Sequence, residues 1–493
     1  MDIKLKYTYK ESNILEGSFN IPRMLDKIYI SYNSSIDLGN YGLTLIITDP
    51  NKNARIKKLL AKEETVVLSQ SSMETSVGGL AGPILEGEWR VQIVVFAEYL
   101  KEDVIKSGFE ITLNISEEGK DIEGFVGENT WSTPGAKYNT NLYDWNKVYS
   151  QEKRWFKGDF HTHTNLSDGK ETVSGVTKKA KDMNLDFYVP TEHNLVHTGW
   201  VDTDICILPG IEITTDKGHF NMFGITEEPD YIMEIMTDLK EEYNNKIISA
   251  GYEKGNIISI NHPFLTRWKW EFENTQLDKV HTIEIINDPT YPYADKSNDA
   301  CIKFMDLLWN DGYKIYAVGG SDSHNLIDQY YEGAKTPSIA GDPATYVYMD
   351  KLTPNNILKS VKEGKTYVTR FCNLEFKIYS DTKSYLPGEE IVEEGTSKCV
   401  VITYELNVIS ENEEMDVFLV ENGKYTKLER INNTTQSFKA SIEFDDNYKW
   451  ARLEVRNKKS EFRGLINPIY RGKKETTYKI FSKALENLEA EYD

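Results

Sequence analysis

The spacing of apolar and polar residues changes character twice along this chain. Residues 1–150 carry short alternating or apolar runs at 27–32, 43–48, 89–96 and 109–115, separated by turn signals such as Gly82-Pro83. Runs of that length with period two, and no stretch of helical period, predict a β-sandwich. Residues 116–150 are richer in Gly, Asn and Glu and read as a linker. From 151 to 371, strand-like runs at 155–161, 186–191, 205–209, 220–225, 257–261, 282–286, 315–319 and 345–348 alternate with helical stretches at 171–183, 231–251, 296–310 and 354–363. This alternation predicts an α/β unit with a mostly parallel sheet, open or closed into a barrel, whose site lies beyond the strand C-termini. Residues 372–472 return to strands at 374–379, 400–408, 415–420 and 450–456, with Asn422-Gly423 as a hairpin turn. They predict a second β-sandwich, immunoglobulin-like in type. In the tail, 473–493, Ile480, Phe481, Ala484, Leu485 and Leu488 have helical spacing. That apolar stripe packs on the protein's own body or serves a homo-oligomer contact.

Histidine placement adds the chemistry. All eight histidines lie between residues 161 and 324. His161 and His163 follow a strand at i and i+2, so both rings project to one side. Asp322 and His324 repeat that arrangement after 315–319. His193 follows 186–191, His262 follows 257–261, and Glu212 follows 205–209 in Pro209-Gly210-Ile211-Glu212. His219 opens a strand, as the return arm of a hairpin from Glu212 would. Imidazoles and carboxylates without thiolates suit Mn, Fe or Zn. His161, His163, Asp168, His193, Glu212, His219, His262, Asp322 and His324 are too many donors for one ion of about four to six ligands. A bridging carboxylate would hold two ions about 3.5–4 Å apart, and Glu212 is the natural bridge.

Charge and cysteine usage narrow the class. A net charge of -21 excludes a large sequence-independent grip on nucleic acid, so no stable nucleic-acid complex is expected. A small phosphorylated or ester substrate remains compatible, because bound cations reverse a local field. The four cysteines form no CxxC and read as small buried apolar residues. No apolar run reaches the ~18 residues of a membrane helix, and the N-terminus lacks the pattern of a signal peptide. The expectation is a cytoplasmic protein that does not engage a membrane.

Gly158-Asp159-Phe160-His161-Thr162-His163, Ser167-Asp168-Gly169, Thr191-Glu192-His193-Asn194, Pro209-Gly210-Ile211-Glu212, Gly218-His219-Phe220-Asn221, Asn261-His262-Pro263 and Gly320-Ser321-Asp322-Ser323-His324 occur in the order found in the polymerase and histidinol phosphatase (PHP) superfamily. The chain resembles that superfamily over about 155–371. Gly341-Asp342-Pro343-Ala344-Thr345-Tyr346-Val347-Tyr348, Glu363-Gly364-Lys365-Thr366-Tyr367-Val368 and Ile466-Asn467-Pro468-Ile469-Tyr470 are similar to its carbaryl-hydrolase-like branch. The resemblance implies a distorted seven-stranded β/α barrel flanked by β-sandwiches, with two or three divalent ions. It places His161, His163, Glu212 and Asp322 on the first ion, Glu212, His219 and His262 on the second, and Asp168, His193 and His324 on the third. The superfamily usually has Asp where this chain has Glu192, which is expected to orient a ligand imidazole.

The implied activity is metal-dependent hydrolysis, in which a cation lowers the pKa of bound water from 15.7 to about 7 and the hydroxide attacks. The expected substrate is a small phosphate ester or phosphodiester, such as a nucleotide or short oligonucleotide. One alternative is an amidase, carbamate or ester hydrolase; another is a non-catalytic metal-binding scaffold. Glu212, Asp322, His193 and Arg267 form the expected catalytic set, with Arg267 as an anion clamp and Trp268 or Trp270 stacking on a ring. Asn287 is a further candidate for substrate contact or ligand support, and residues 325–342 for a lid. His197 and His281 match no motif and read as structural.

Overall fold

Alternation in the N-terminal runs sorts side chains to two faces. Phe109–Ser116 buries Phe109, Ile111, Leu113 and Ile115, and Lys27–Ser34 buries Ile28, Ile30 and Tyr32. In the computed structural model, which describes residues 1–37, 42–61, 64–120, 124–392, 399–410, 413–431 and 435–492, two antiparallel sheets result. One has the order Asp2–Tyr7, Phe109–Ser116, Lys27–Ser34, Thr65–Ser69; the other Ile14–Ile21, Gly87–Val95, Leu43–Thr48, Ala54–Leu59. Both face one apolar core around Trp89 and Phe19. Residues 121–123 of the expected linker and Asp493 of the expected tail lie outside the described residues.

The rest of the expected linker is strapped to the body. Trp131 stacks on Trp200 at 6.0 Å, and the buried Tyr138 donates its hydroxyl to the Gly78 carbonyl at 2.6 Å. Lys57 of the first sandwich forms a buried ion pair with Glu228. Burial of these aromatics and the paired charges fixes the sandwich against the middle of the chain.

The middle strands differ from the expected barrel. Arg154–Thr162 pairs in parallel with Phe187–Pro190 and antiparallel with Ala344–Met349, so both its edges are occupied. Gly210–Thr215 and Gly218–Phe223 form a hairpin that continues through Ile257–Ile260, Thr282–Asn287 and Tyr316–Gly320 as a separate five-stranded sheet. The sheets are mixed rather than mostly parallel, and they do not close. Single bridges, Thr162 with Ser323 and His193 with Glu212, are what joins them at the two seams. Both bridges fall at candidate ligands. The expected helix at 231–251 is two helices, Ile232–Thr237 and Glu241–Glu253, broken where Asp238 takes an extended backbone. Thr237 and Asp238 are poor helix formers, which explains the break.

The C-terminal strands form no isolated sandwich. Cys372–Tyr379, Ser384–Tyr385, Val400–Ser410 and Thr435–Phe444 make one sheet. Its partner layer, with Met415–Glu421, Lys449–Asn457 and Phe462–Arg471, belongs to a nine-stranded sheet that runs through Thr366–Thr369 and Ala344–Met349 into Arg154–Thr162. The sheet therefore crosses residue 371. Fully buried Arg452 seals this junction, with Asp306 of helix Ala294–Asn310 and Glu454 as its carboxylate partners. The tail helix, Phe481–Tyr492, packs on the protein itself. Phe481 lies 4.9 Å from the Phe304 ring and 6.2 Å from that of Trp270. Among the described residues, no helix is long and apolar enough to cross a membrane. Phe481→Ala, which empties this contact, is expected to cost about 3–5 kcal/mol, read as an earlier chemical-denaturation midpoint for the middle of the chain.

Candidate metal centre

Strand ends and one hairpin bring the nine candidate donors together. His161 lies on Arg154–Thr162 and His163 just beyond it. Glu212 sits inside Gly210–Thr215, not after the preceding strand, and His219 lies on the return arm opposite Thr214. His262, His193, Asp322 and His324 follow the C-terminal ends of their strands, and Asp168 lies in the loop after His163.

Glu212 is the hub. Its Oε1 lies 3.2 Å from His161 Nε2 and 3.1 Å from His219 Nδ1, and it accepts from Asn261 Nδ2 at 2.9 Å. Its Oε2 lies 2.7 Å from His193 Nδ1 and accepts from the Thr214 hydroxyl at 3.1 Å. Asp322 Oδ1 lies 3.1 Å from His163 Nε2 and 3.3 Å from His161 Nε2. Asp168 Oδ1 lies 3.2 Å from His193 Nε2 and 3.3 Å from His324 Nε2. Three overlapping groups have cation-binding geometry: His161, His163 and Glu212; Glu212, His219 and His262; and His163, Asp168, His193 and His324. Asp322 joins the first by its distances, and His163 stands between the first and third.

The donors fit divalent cations. His161 Nε2, both ring nitrogens of His163, His262 Nδ1, Asp168 Oδ1 and Asp322 Oδ1 are buried without a hydrogen-bond partner. Unsatisfied buried polar atoms are costly, and so many in one place call for a positive ligand. The electrostatics agree. Burial opposes ionisation of Glu212 and Asp322, but the surrounding imidazoles outweigh it and hold both carboxyls well below the usual range. Burial likewise depresses the imidazoles, yet Asp168 and Glu212 push His193 up to about 10, and Asp168 pushes His324 up to about 9. His163 goes the other way, to about 4, by burial and its two imidazole neighbours.

The supporting contacts correct one expectation and add two residues. Glu192 orients no ligand imidazole. Its carboxylate accepts from the backbone and hydroxyl of Thr164, from those of Ser167, and from His197 Nε2 at 2.8 Å. It thereby shapes the loop before Asp168, with the structural His197 as its partner. The ligand-orienting carboxylate is Glu284, which the sequence reading missed: its Oε1 lies 3.1 Å from His161 Nδ1, and its Oε2 accepts from the His262 backbone at 3.2 Å. The signal was a lone charged residue inside the apolar strand Thr282–Asn287, where every residue is buried. Asp159 is the second addition. It accepts from the backbone N–H groups of His161, Ser321 and Gly341, and burial raises its carboxyl to about 6. Asn287 donates to both Glu284 and Asp322, at 3.1 and 3.2 Å.

Asp168, His193, His219, His262, Asp322 and His324 floor a cleft of about 640 Å³ walled by Tyr99, Leu265, Trp268, Tyr291, Leu326 and Tyr331. Trp268 lines it as expected. Arg267 does not: it is exposed and lies 5.1 Å over the outer Trp268 ring. Trp270 turns into the core against Phe272 and Phe481, its indole donating to the Phe272 carbonyl. Residues 325–342 contribute Asn325, Leu326 and Tyr331 to the wall, pinned by Lys170 to Asn325 and Gln329 at 2.7 and 2.8 Å. His281 is structural, accepting from the Ile258 backbone and stacking on Tyr252.

No family model and no curated protein matches the chain. Among solved structures, it is similar to a two-domain protein of Bacteroides vulgatus containing a predicted PHP-like metal-dependent phosphoesterase, at 15% identity, over 66% of this chain and 99% of that one, with a TM-score of 0.35. It is also similar to a protein of Bifidobacterium adolescentis whose metal-dependent phosphoesterase activity is likewise a prediction, at 13% identity, over 36% and 92%, with a TM-score of 0.24. At such scores neither neighbour carries weight for fold or function, which rest on this chain's own residues.

Glu284→Gln keeps the shape of the side chain and removes its charge. It is expected to weaken metal uptake about 10–100-fold with little change in thermal midpoint, measured by metal content after dialysis against a graded chelator. Gly320→Ala would drive a methyl into the His161 side chain and the Glu284 carboxylate. It should lower metal content in the same assay, and wild-type retention would contradict the described packing.

Proposed function

We propose that this chain is a divalent-metal-dependent hydrolase of the PHP superfamily that cleaves a small phosphate ester or phosphodiester. The observation that carries the reading is the Glu212 carboxylate, buried and shared by two of the three donor groups, amid ring nitrogens and carboxylate oxygens that lack other partners. His161, His163, Glu212 and Asp322 would hold one ion, Glu212, His219 and His262 another, and Asp168, His193 and His324 a third. Mn, Fe or Zn suits these donors. Bound there, the ions supply Lewis acidity and a nucleophile from water at neutral pH.

The chain's own side chains define what meets them. Most donors are nearly inaccessible, but Asp322 and His324 keep 18% and 19% of their side-chain surface. They mark where the reacting group enters. His193 and His324 turn their Nε2 atoms towards one Asp168 oxygen. Trp268 and Tyr291, 6.0 Å apart, offer an apolar flank to the non-reacting part of the substrate. Lys170, at the rim, places a positive charge over the entrance.

A second reading, an ester, amide or carbamate hydrolase, is favoured by one observation. Tyr99, Trp268, Tyr291 and Tyr331 put four aromatic rings in the cleft wall, and among its described lining residues Lys170 is the single lysine or arginine. Chelated protein is expected to lose activity and regain it with Mn, Zn or Fe. Activity is then compared on p-nitrophenyl phosphate, bis-p-nitrophenyl phosphate and an aryl ester or carbamate. Turnover confined to the phosphates supports the first reading, turnover confined to the acyl substrates the second, and full activity in metal-free protein would sink both. Glu212→Gln is expected to abolish turnover on whichever substrate is found, with loss of bound metal.

A further inference from the structure

The first sandwich reaches the donor cluster through Tyr99. Its strand Gly87–Val95 ends at Phe96, and a 3-10 turn, Ala97–Tyr99, carries Tyr99 over the hairpin that bears Glu212 and His219. The turn is fixed locally: the Tyr99 N–H donates to the Phe96 carbonyl at 3.1 Å, and the buried Phe96 ring meets the Tyr99 ring edge-on at 4.8 Å. It is also fixed globally, by the Lys57–Glu228 ion pair and by Asn13 Nδ2 donating to the Thr237 carbonyl at 2.9 Å.

The Tyr99 hydroxyl lies 3.2 Å from Nε2 of His219, while the Nδ1 of that ring lies 3.1 Å from Glu212 Oε1. The two nitrogens therefore face different partners. An imidazole that offers its Nδ1 lone pair towards Glu212 and the ion beside it carries its proton on Nε2. A phenol oxygen at this distance accepts that proton's hydrogen bond while remaining a donor itself.

We propose that Tyr99 is a positioning residue of the metal centre: its hydroxyl accepts the Nε2–H of His219 and so fixes the tautomer and ring orientation with which His219 completes the group it forms with Glu212 and His262. The inference rests on the reading that this group holds a divalent cation. It gives the N-terminal sandwich a part in the site that the pattern of its own strands does not announce. Ala61 and Glu64, from the same sandwich, also border the cleft.

The test is Co2+ titration of metal-stripped full-length protein followed by visible absorption. Wild type, Tyr99→Phe and His219→Ala are compared, with thermal midpoints in parallel. The binding component that His219→Ala removes is expected to weaken about 10–100-fold in Tyr99→Phe, with the other components and the midpoint unchanged. Unaltered Co2+ affinity in Tyr99→Phe overturns the proposal. Equal weakening of every component with a lowered midpoint overturns it as well, by showing a purely structural role. A second measurement needs no variant. In the Zn2+-loaded wild type, 15N-edited NMR of the imidazoles should show His219 protonated on Nε2; protonation on Nδ1 refutes the assignment. Wild-type protein that takes up no Co2+ at all would overturn the metal-centre reading itself, an outcome distinct from the others.

Discussion

The buried carboxylate of Glu212 is the constraint around which the rest of the site is arranged. Removing a carboxylate from water costs several kcal/mol unless nearby groups replace that water. Here Asn261 donates to one oxygen, with the His219 ring beside it, and Thr214 and His193 address the other. These partners come from three separate segments of the chain. Satisfying one side chain therefore requires the hairpin, the strand after it and the segment at the seam to arrive together. The bridge between His193 and Glu212 is the backbone counterpart of that requirement. It joins the two sheets at one seam, as the bridge between Thr162 and Ser323 does at the other.

The backbone is bent to serve the same end. His262 and Asp322 have φ of 29° and 49°, and Asn194 and Asp288, beside other donors, have 56° and 21°. Non-glycine residues in this region cost on the order of 1–3 kcal/mol each and persist where surrounding contacts over-determine them. Those contacts are present. The His262 N–H is held by Glu284, the Asp322 N–H by the His161 carbonyl, and Asn194 by paired bonds with Thr214. Strain at strand ends turns donors inward that a relaxed chain would aim along the strands.

The donors were legible in the sequence because their geometry is local. His161 and His163, or Asp322 and His324, share a face for reasons contained in three residues and a strand. The strands themselves were legible from period two, and the helical stretch at 171–183 is present as Val173–Asp182, capped by Thr172. What stayed hidden depends on partners distant in sequence. Glu192 stands next to a ligand, so orienting that ligand was the natural reading, yet its carboxylate turns back to the loop at 164–167. Glu284, 123 residues from His161, does the orienting instead. The continuity of one sheet across residue 371 comes from edge pairing between Thr366–Thr369 and Phe462–Arg471, which no local pattern encodes. The closed barrel failed for the same reason, since the edge of Arg154–Thr162 is taken by Ala344–Met349.

Charge ties the proposed substrate to the proposed ions. The chain carries a net charge of -21, and its cleft is bordered by Asp168, Asp288, Asp322 and Glu64, with Lys170 as the single lysine or arginine among its described lining residues and the raised imidazoles of His193 and His324 beside Asp168. Burial and the nearby Asp322 raise the Asp288 carboxyl to about 6, so it still adds negative charge at neutral pH. The cleft's carboxylates oppose a phosphate. Two or three divalent cations would add about four to six positive charges at its floor and reverse the local field. Phosphate recognition, as proposed, would depend on metal occupancy in a way that binding a neutral ester or carbamate would not. An aromatic wall with a sparse cationic rim suits either substrate for its apolar part. The sign of the field at the floor is what would separate them, and that sign would be set by the ions proposed at Glu212.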